Sequence, residues 1–236
     1  MTSRSPTVFL VFSLLVGVVC VRLGIWQLDR LAGRRTASSA ALKQRKLPPT
    51  DIRALGNNGE NRRVFASGVY DFDREIILRG RARDGVPGVE VVTPLRLHGS
   101  DSAVLVLRGY VPSADAISYD NSIHREPDSA RVVGVAMPVP QDSGGAVPAR
   151  RNGNETWRRL DLATVRARLP YPLAPMYIIA DSPPTASPAP RRSPPPALDH
   201  GPHLNYAVQW FAFAGIAFGG AAVLWWRRRR EGEPIP

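Results

Sequence analysis

At 236 residues the chain is long enough for one ordinary domain with a hydrophobic core. Aliphatic and aromatic residues make up 44% of it, which excludes a chain that is disordered or of low complexity throughout. The net charge is +11, and the single cysteine, Cys20, excludes a disulfide framework, a paired-cysteine redox site and a cysteine-based metal site.

The first apolar segment predicts a transmembrane helix over residues 7–28. Residues 7–21 carry no charge, and the stretch LGIWQL continues the apolar pattern beyond Arg22, whose guanidinium can reach outward from the end of a span. No small-residue cleavage site follows, so we favour a retained anchor over a cleaved signal peptide. Residues 29–47 are basic and compatible with a helix, and they predict an interfacial helical extension that the prolines after Leu47 end.

Residues 48–181 predict a β-rich extracytoplasmic domain. Five runs in this segment alternate in polarity or are rich in β-branched residues, and glycine and aspartate clusters separate them at hairpin spacing. A short helix in DLATVRARL and a last strand in PMYIIAD follow. We therefore expect an α+β domain dominated by a curled antiparallel β-sheet or barrel. The five runs are RRVFASGVY, REIILRG, GVEVVTPLRLH, AVLVLRGYVP and ARVVGVAMPVP.

The C-terminal part predicts a tether, a second span and a short tail. Residues 182–202 are proline-rich, which predicts an extended, semi-stiff tether. Residues 203–226 predict a second transmembrane helix, since no charge occurs from Leu204 to Trp226. Residues 227–236 begin with four arginines and predict a cytoplasmic basic tail. With two spans, both termini are then expected in the cytoplasm of a bacterium, in its plasma membrane.

The charge and the motifs narrow the classes of function. A membrane-anchored extracytoplasmic domain seldom meets nucleic acid, so anionic lipid head groups or an acidic partner better explain the excess of basic residues. We find none of the common nucleophile, metalloprotease or phosphate-loop motifs. The chain is therefore predicted to be a binding or scaffolding protein rather than an enzyme.

The start of the second span, HLNYAVQWFAFA, carries polar and aromatic side chains on one helical face. His203, Tyr206, Trp210 and Phe213 follow one another at spacings of three and four residues. One interpretation is an interfacial aromatic belt with His203 as a polar anchor. The other is a site for a flat apolar ligand, held against Tyr206 and Trp210, with His203 offering a nitrogen to a metal such as haem iron.

The chain resembles the Surf1 family of cytochrome c oxidase assembly factors over nearly its full length. The segment LGIWQLDR closes the first span and HLNYAVQWFAFA opens the second, while ASGVYD, GVPGVEVVTPL, VLVLRGYVP and TWRRLDL follow in the family's order between them. The pattern departs from the family at Gly201 and Pro202, where asparagine often precedes the histidine, and at Tyr110, where tryptophan is commoner. The residues that match family motifs are Trp26, Gln27, Arg30, Arg108, Gly109, Pro112, Trp157 and Gln209.

The resemblance implies an assembly factor for an aa3-type oxidase that assists haem a insertion into subunit I or stabilises that subunit. It implies transient binding of haem a, with His203 as iron ligand and Tyr206 and Trp210 beside it, and partners among the other oxidase assembly factors and membrane lipid. Arg108 and Gly109 are expected to be structural: Gly109 is expected to permit a close turn, and Arg108 to pair with a carboxylate. A membrane-anchored binding or sensor module unrelated to oxidases is the alternative, and an enzyme with an unrecognised site is a further one.

Glycines predict how the two spans meet. Small residues allow transmembrane helices to approach closely. We expect the spans to pack through Gly17, Gly24, Gly215 and Gly219.

Overall fold

The structure, a computed structural model, describes residues 6–55, 59–120, 122–141, 148–151, 154–181, 190–199 and 201–231. Much of the expected tether, residues 182–189 and 200, and the end of the basic tail, residues 232–236, lie outside these described residues. The chain divides into two units, one formed by residues 1–40 and 198–236 and the other by residues 41–197.

Two long apolar helices flank a β-rich domain with a closed barrel, which confirms the predicted fold class. Helix α1 is one continuous helix, Pro6–Lys46, and α3 spans His203–Glu231. By length and composition both are long and apolar enough to cross a membrane. Protein buries only 17% of the most apolar stretch of each helix, as expected for side chains that face lipid.

The β domain contains nine strands, one short α-helix and two short 3-10 helices, Ile52–Ala54 and Phe72–Arg74, among its described residues. The α-helix is α2, Leu162–Arg166, which Asp161 caps by accepting the backbone N–H of Thr164 at 2.9 Å. The strands are β1 Thr50–Asp51, β2 Arg63–Tyr70, β3 Ile76–Arg83, β4 Val86–Leu97, β5 Ala103–Pro112, β6 Ser129–Pro138, β7 Ala149–Arg151, β8 Asn154–Trp157 and β9 Leu173–Ala180.

Five of these strands close a barrel in the order β2-β6-β9-β5-β4, with β4 returning to β2 through the pairs Gly68–Leu97, Val69–Arg96 and Tyr70–Leu95. Neighbours in the ring are antiparallel except for β5 and β9. Strand β2 lies beside β4, and β4 lies beside β5, so these three strands are neighbours in chain order. The chain then returns so that β6 lies on the other side of β2, which is the Greek-key connection. Strand β3 extends β4 outward, and β8 and β7 continue that extension.

The buried side chains of the β domain form three clusters, and the two larger ones lie on opposite faces of β5. The inner core uses every second residue of a strand, such as Val104 and Val106 in β5, as a half-buried sheet requires. The next residues along, Leu105 and Leu107, point the other way and pack with Trp157 and α2 in a second core. Both faces of β5 are therefore buried, which accounts for its nearly continuous apolar sequence.

The two chain ends of the β domain meet. The guanidinium of Arg45, in the last turn of α1, donates to Asn61 Oδ1 from both Nε, at 3.0 Å, and Nη2, at 2.6 Å. The same Nη2 donates to the backbone oxygen of Pro196 at 3.0 Å, across 151 residues of chain. Residues 45 and 196 are therefore neighbours in space.

The described half of the proline-rich segment makes contacts of its own. Residues 191–196 hydrogen-bond to several elements of the β domain, beginning with a bridge between Arg191 and Tyr110. Proline composition indicates an extended chain but carries no signal for the surface against which it lies.

Candidate functional site at the helix pair and the barrel network

Helices α1 and α3 pack against each other in opposite directions. A Cβ added at Gly17 would lie 2.5 Å from the Phe218 ring, and one at Gly24 would lie 2.7 Å from the Phe211 ring. Position 17 thus faces 218 and position 24 faces 211, which is antiparallel. The buried residues of α3 on this face, Ala207, Ala214 and Ala221, recur every seven residues, as in left-handed helix pairs.

The expectation about glycine packing is confirmed for α1 and wrong for α3. A phenylalanine ring of the facing helix packs against Gly17, and another packs against Gly24. A Cβ at Gly215 or Gly219 would meet nothing within 4 Å, so these glycines do not form the contact. The helices approach through a large-into-small fit rather than through facing glycines.

This packing brings the two membrane motifs together at His203 and Gln27. His203 Nδ1 lies 2.8 Å from Gln27 Oε1, and both side chains are half-buried. An amide oxygen only accepts hydrogen bonds, so Nδ1 carries the proton and donates. Nε2 is then the ring nitrogen that a metal ion would use.

The other predicted residues at this end of the helices are more exposed. Tyr206 is 47% exposed and Gln209 is exposed, whereas Trp210 is half-buried with its ring 6.0 Å from that of Phe213, edge to face. Trp26 is 45% exposed and lies under the Arg30 guanidinium, 5.6 Å from it. Exposed aromatic and cationic side chains of this kind suit a membrane interface.

The donor set fits haem in its chemistry. His203 supplies one imidazole nitrogen, Nε2, while its other ring nitrogen, Nδ1, is already hydrogen-bonded to Gln27, as is usual in metal-ligating histidines. Trp210 and Phe213 supply flat apolar surface on the same helix. The described residues contain no group of three or more histidine, cysteine or acidic side chains that could hold a free metal ion.

The barrel contains a buried ion-pair network centred on Arg108. This side chain is 0% exposed and its Nη1 lies 2.7 Å from Oε2 of Glu75, which also accepts a hydrogen bond from Thr93. Its Nη2 donates to the backbone oxygen of His124. The expectation that Arg108 pairs with a carboxylate is confirmed, and that carboxylate, Glu75, lies inside the same domain.

A second arginine extends the network. Arg192, from the proline-rich segment, forms a bidentate pair with Glu126 at 2.7 and 3.0 Å, and donates to the backbone oxygen of Arg108 at 2.6 Å. Glu126 also lies 3.5 Å from Arg108 Nε. The buried pair of Arg108 and Glu75 and the half-buried pair of Arg192 and Glu126 thus compensate one another's charges.

Gly109 admits the proline-rich segment to the barrel. Its φ is +142°, and an added Cβ would lie 2.3 Å from the Arg191 backbone oxygen. Next to it, Tyr110 and Arg191 exchange two backbone hydrogen bonds of 2.7 and 2.8 Å. The predicted turn at Gly109 is therefore wrong: the residue lies within β5, and glycine is needed there for close approach by another backbone.

The remaining motif residues have structural positions. Pro112 ends β5, and Trp157 is 3% exposed in the second core, with Arg168 5.4 Å above its ring. Two tyrosines adjoin the Arg108 network. Burial, and then the negative charge of Glu126, raise the pKa of Tyr70, while burial and then Glu75 raise the pKa of Tyr119.

Sequence reasoning missed most of this network. Glu75, Glu126 and Arg192 belong to no motif and lie 33, 18 and 84 residues from Arg108 in the chain. The buried position of Arg108 in a strand of apolar residues was the one available signal, because a cation there must find anions.

Comparisons with known proteins match most of the chain to one family. The SURF1 family model matches residues 14–215, a range that includes both helix motifs and the barrel. A SURF1-like protein of Rickettsia bellii is 26% identical over 206 residues, covering 85% of this chain and 84% of the relative. A SURF1-like protein of Monosiga brevicollis is 25% identical, covering 92% and 86%, and an uncharacterised SURF1-like protein of Mycobacterium bovis is 28% identical, covering 91% and 83%.

The matched range begins within α1 and ends within α3, so it takes in the Gln27–His203 contact and the whole Arg108 network. The chain belongs to the SURF1 family.

Proposed function

We propose that this chain is a membrane-anchored assembly factor for an aa3-type cytochrome c oxidase, acting at subunit I at the stage of haem a insertion. Membership of the SURF1 family carries the oxidase-assembly role. The hydrogen bond between His203 and Gln27 supports a role at haem a insertion, because it connects the two membrane motifs and orients the His203 imidazole as a possible iron ligand.

The proposed location is the plasma membrane of a bacterium, with the β domain outside and both termini in the cytoplasm. Arginines at the end of α3 favour the cytoplasmic side, and an antiparallel helix pair suits a two-pass protein. Partners are subunit I, other oxidase assembly factors and membrane lipid.

Haem a would be held by His203 through Nε2, with Tyr206 and Trp210 beside it. When bound, the haem would supply an iron centre and a flat apolar ring. Gln27 fixes the imidazole by accepting its Nδ1 proton, and the aromatic side chains offer an apolar surface. The proposed role needs no catalytic group, because the protein would only bind haem a and release it.

The first test is a reduced-minus-oxidised visible spectrum of membranes from cells with and without the gene. We expect the haem a band to fall while the b- and c-type bands persist. An unchanged spectrum in cells that hold no second copy would overturn the oxidase role and favour an anchored binding module.

The second test addresses the ligand. His203→Ala should lower the haem a content of the purified protein while leaving its membrane insertion intact. Asn205→Ala is the matched control, because Asn205 lies two residues away on the same helix and is exposed. Equal haem content in both variants would exclude His203 as the ligand without affecting the oxidase role.

A further inference from the structure

A cavity of about 500 Å³ opens in the β domain beside the barrel, and we name it the arginine cleft. Strands β3 and β8 are parallel and paired at Ile77–Thr156 and Leu78–Trp157. The next residues along the chain, Arg79 and Arg158, therefore lie side by side. The charged side chains of the lining are Arg79, Arg81, Arg158, Arg159 and Asp115.

Two of these arginines are fixed by the domain itself. Arg79 Nη1 donates to the Thr156 backbone oxygen at 2.8 Å and to its hydroxyl at 3.2 Å. Arg81 pairs with Glu90 at 3.0 Å and donates to the backbone oxygen of Arg158 at 3.2 Å. Their positive charges are held in place before any ligand arrives, so little side-chain entropy is lost on binding.

The other two arginines keep their donors available. Arg158 and Arg159 are exposed, and neither guanidinium hydrogen-bonds or pairs with an acid within the part of the chain that the structure describes. Each guanidinium carries five N–H donors in a planar fork, which matches the oxygens of phosphate and carboxylate groups.

The single carboxylate of the lining does not cancel this charge. Asp115 accepts hydrogen bonds from the Ser113 hydroxyl at 2.8 Å and the Ile117 and Ser118 backbone N–H groups at 2.9 and 2.7 Å. Hydrogen bonds from Ser118, and then from Ser113 and Ile117, hold the pKa of Asp115 well below its usual range. Asp115 therefore anchors the loop that follows β5, and the lining holds four arginines against this one carboxylate.

We propose that the arginine cleft binds a phosphate group. Arg158 and Arg159 bring two positive charges that no acidic side chain among the described residues pairs with, and their planar N–H forks match the several oxygens of a phosphate. The cavity exceeds the size of one phosphate, which leaves room for the group that carries it. The phosphodiester of an anionic phospholipid head group carries one negative charge and a soluble phosphate monoester carries up to two, and both present phosphate oxygens to the guanidinium groups. The site involves the β domain alone and does not depend on the oxidase role.

The test uses the full chain, purified in a neutral detergent and studied by titration calorimetry at low ionic strength. The probes are inorganic phosphate and dihexanoyl phosphatidylglycerol, with zwitterionic dihexanoyl phosphatidylcholine as the reference. The variant is Arg158→Gln/Arg159→Gln. The matched control is Arg34→Gln/Arg35→Gln, which removes the same charge from another adjacent pair of exposed arginines.

We expect saturable binding that weakens about tenfold or more in the cleft variant and is unchanged in the control, the scale of a lost charge-assisted hydrogen bond. Binding of phosphatidylglycerol alone would identify lipid as the source, and comparable binding of inorganic phosphate would identify a soluble ligand. Either result supports the cleft.

Three results would overturn the proposal: no saturable binding of either probe, equal weakening in both double variants, or tighter binding of a hexaglutamate peptide than of either phosphate probe. The last would assign the cleft to an acidic protein segment. Both arginines are exposed, so an unchanged unfolding midpoint should confirm that the cleft variant is folded.

Discussion

His203 Nδ1 donates a hydrogen bond to Gln27 Oε1 over 2.8 Å, joining residues that are 176 positions apart in the chain. The contact depends on the antiparallel packing of α1 and α3, since Phe218 over Gly17 and Phe211 over Gly24 set the alignment that brings position 27 to position 203.

Replacing Gln27 by Leu should reduce haem a retention, because the imidazole would lose the acceptor that fixes its orientation and tautomer. Loss of a hydrogen-bond partner behind a metal ligand typically lowers affinity roughly 10- to 100-fold. The measurement is haem content per protein after purification. Gln209→Leu, an exposed glutamine on α3, is the control, and equal retention in the two variants would exclude a positioning role for Gln27.

Gly17→Val should weaken the helix pair, because the new side chain occupies the space of the Phe218 ring. We expect a loss of about 1–3 kcal/mol in the free energy of unfolding, as for other overpacked contacts. Adding Phe218→Ala should restore part of it. Gly215→Val has open space and serves as the control, and an equal loss there would show that the effect comes from helix propensity alone.

Arg108→Met should destabilise the β domain by about 3–5 kcal/mol, because it leaves Glu75 buried without its cation. The double variant Arg108→Met/Glu75→Leu should recover part of the loss, since both charges are then gone. Denaturant unfolding measures both. The control is Arg168→Met: its pair with Glu155 is about half exposed and should contribute about 1 kcal/mol or less.

Gly109→Ala should release the proline-rich segment from β5, because the methyl group meets the Arg191 backbone oxygen. Hydrogen exchange at the amides of Tyr110 and Arg191, which bond to each other's carbonyls, reports this directly. Both amides should exchange faster in the variant. Gly80→Ala has a positive φ but open space, so it should leave their exchange unchanged.

High pH should destabilise the β domain through its buried tyrosines. Burial raises the pKa of Tyr70 and Tyr119 above the unfolded value of about 10, so their stabilising contribution is complete below that pH. It is lost as pH rises from there through the folded pKa. An alkaline titration followed by tyrosinate absorbance should show these groups ionising only on unfolding. Their ionisation in the folded protein near pH 10 would contradict the assignment.

Sequence patterns predicted the long elements because each leaves a periodic signal. Uncharged stretches predicted α1 and α3, and alternating β-branched residues predicted β2 to β6 and β9. Strands β1, β7 and β8 have two to four residues, which is too short for a period to show. Their existence depends on neighbours supplied by the rest of the fold.

The candidate site was predictable in part. A resemblance in two motifs identified His203 and Gln27, but only packing showed that they touch. The Arg108 network escaped prediction because ion pairs between distant residues leave no local pattern. For the same reason the role of Arg192 was hidden within a segment that composition marks only as extended.

The contact between Arg45 and the Pro196 backbone has an entropic consequence for the membrane helices. Closing a loop of this length costs on the order of 4 kcal/mol of chain entropy. The free energy of folding of the barrel offsets this loss of chain entropy, because the folded barrel holds residues 45 and 196 together. The two helices are then joined by a short effective link rather than a long one, and each meets its partner at a high local concentration. A β domain of modest size can in this way promote the pairing of the two long helices.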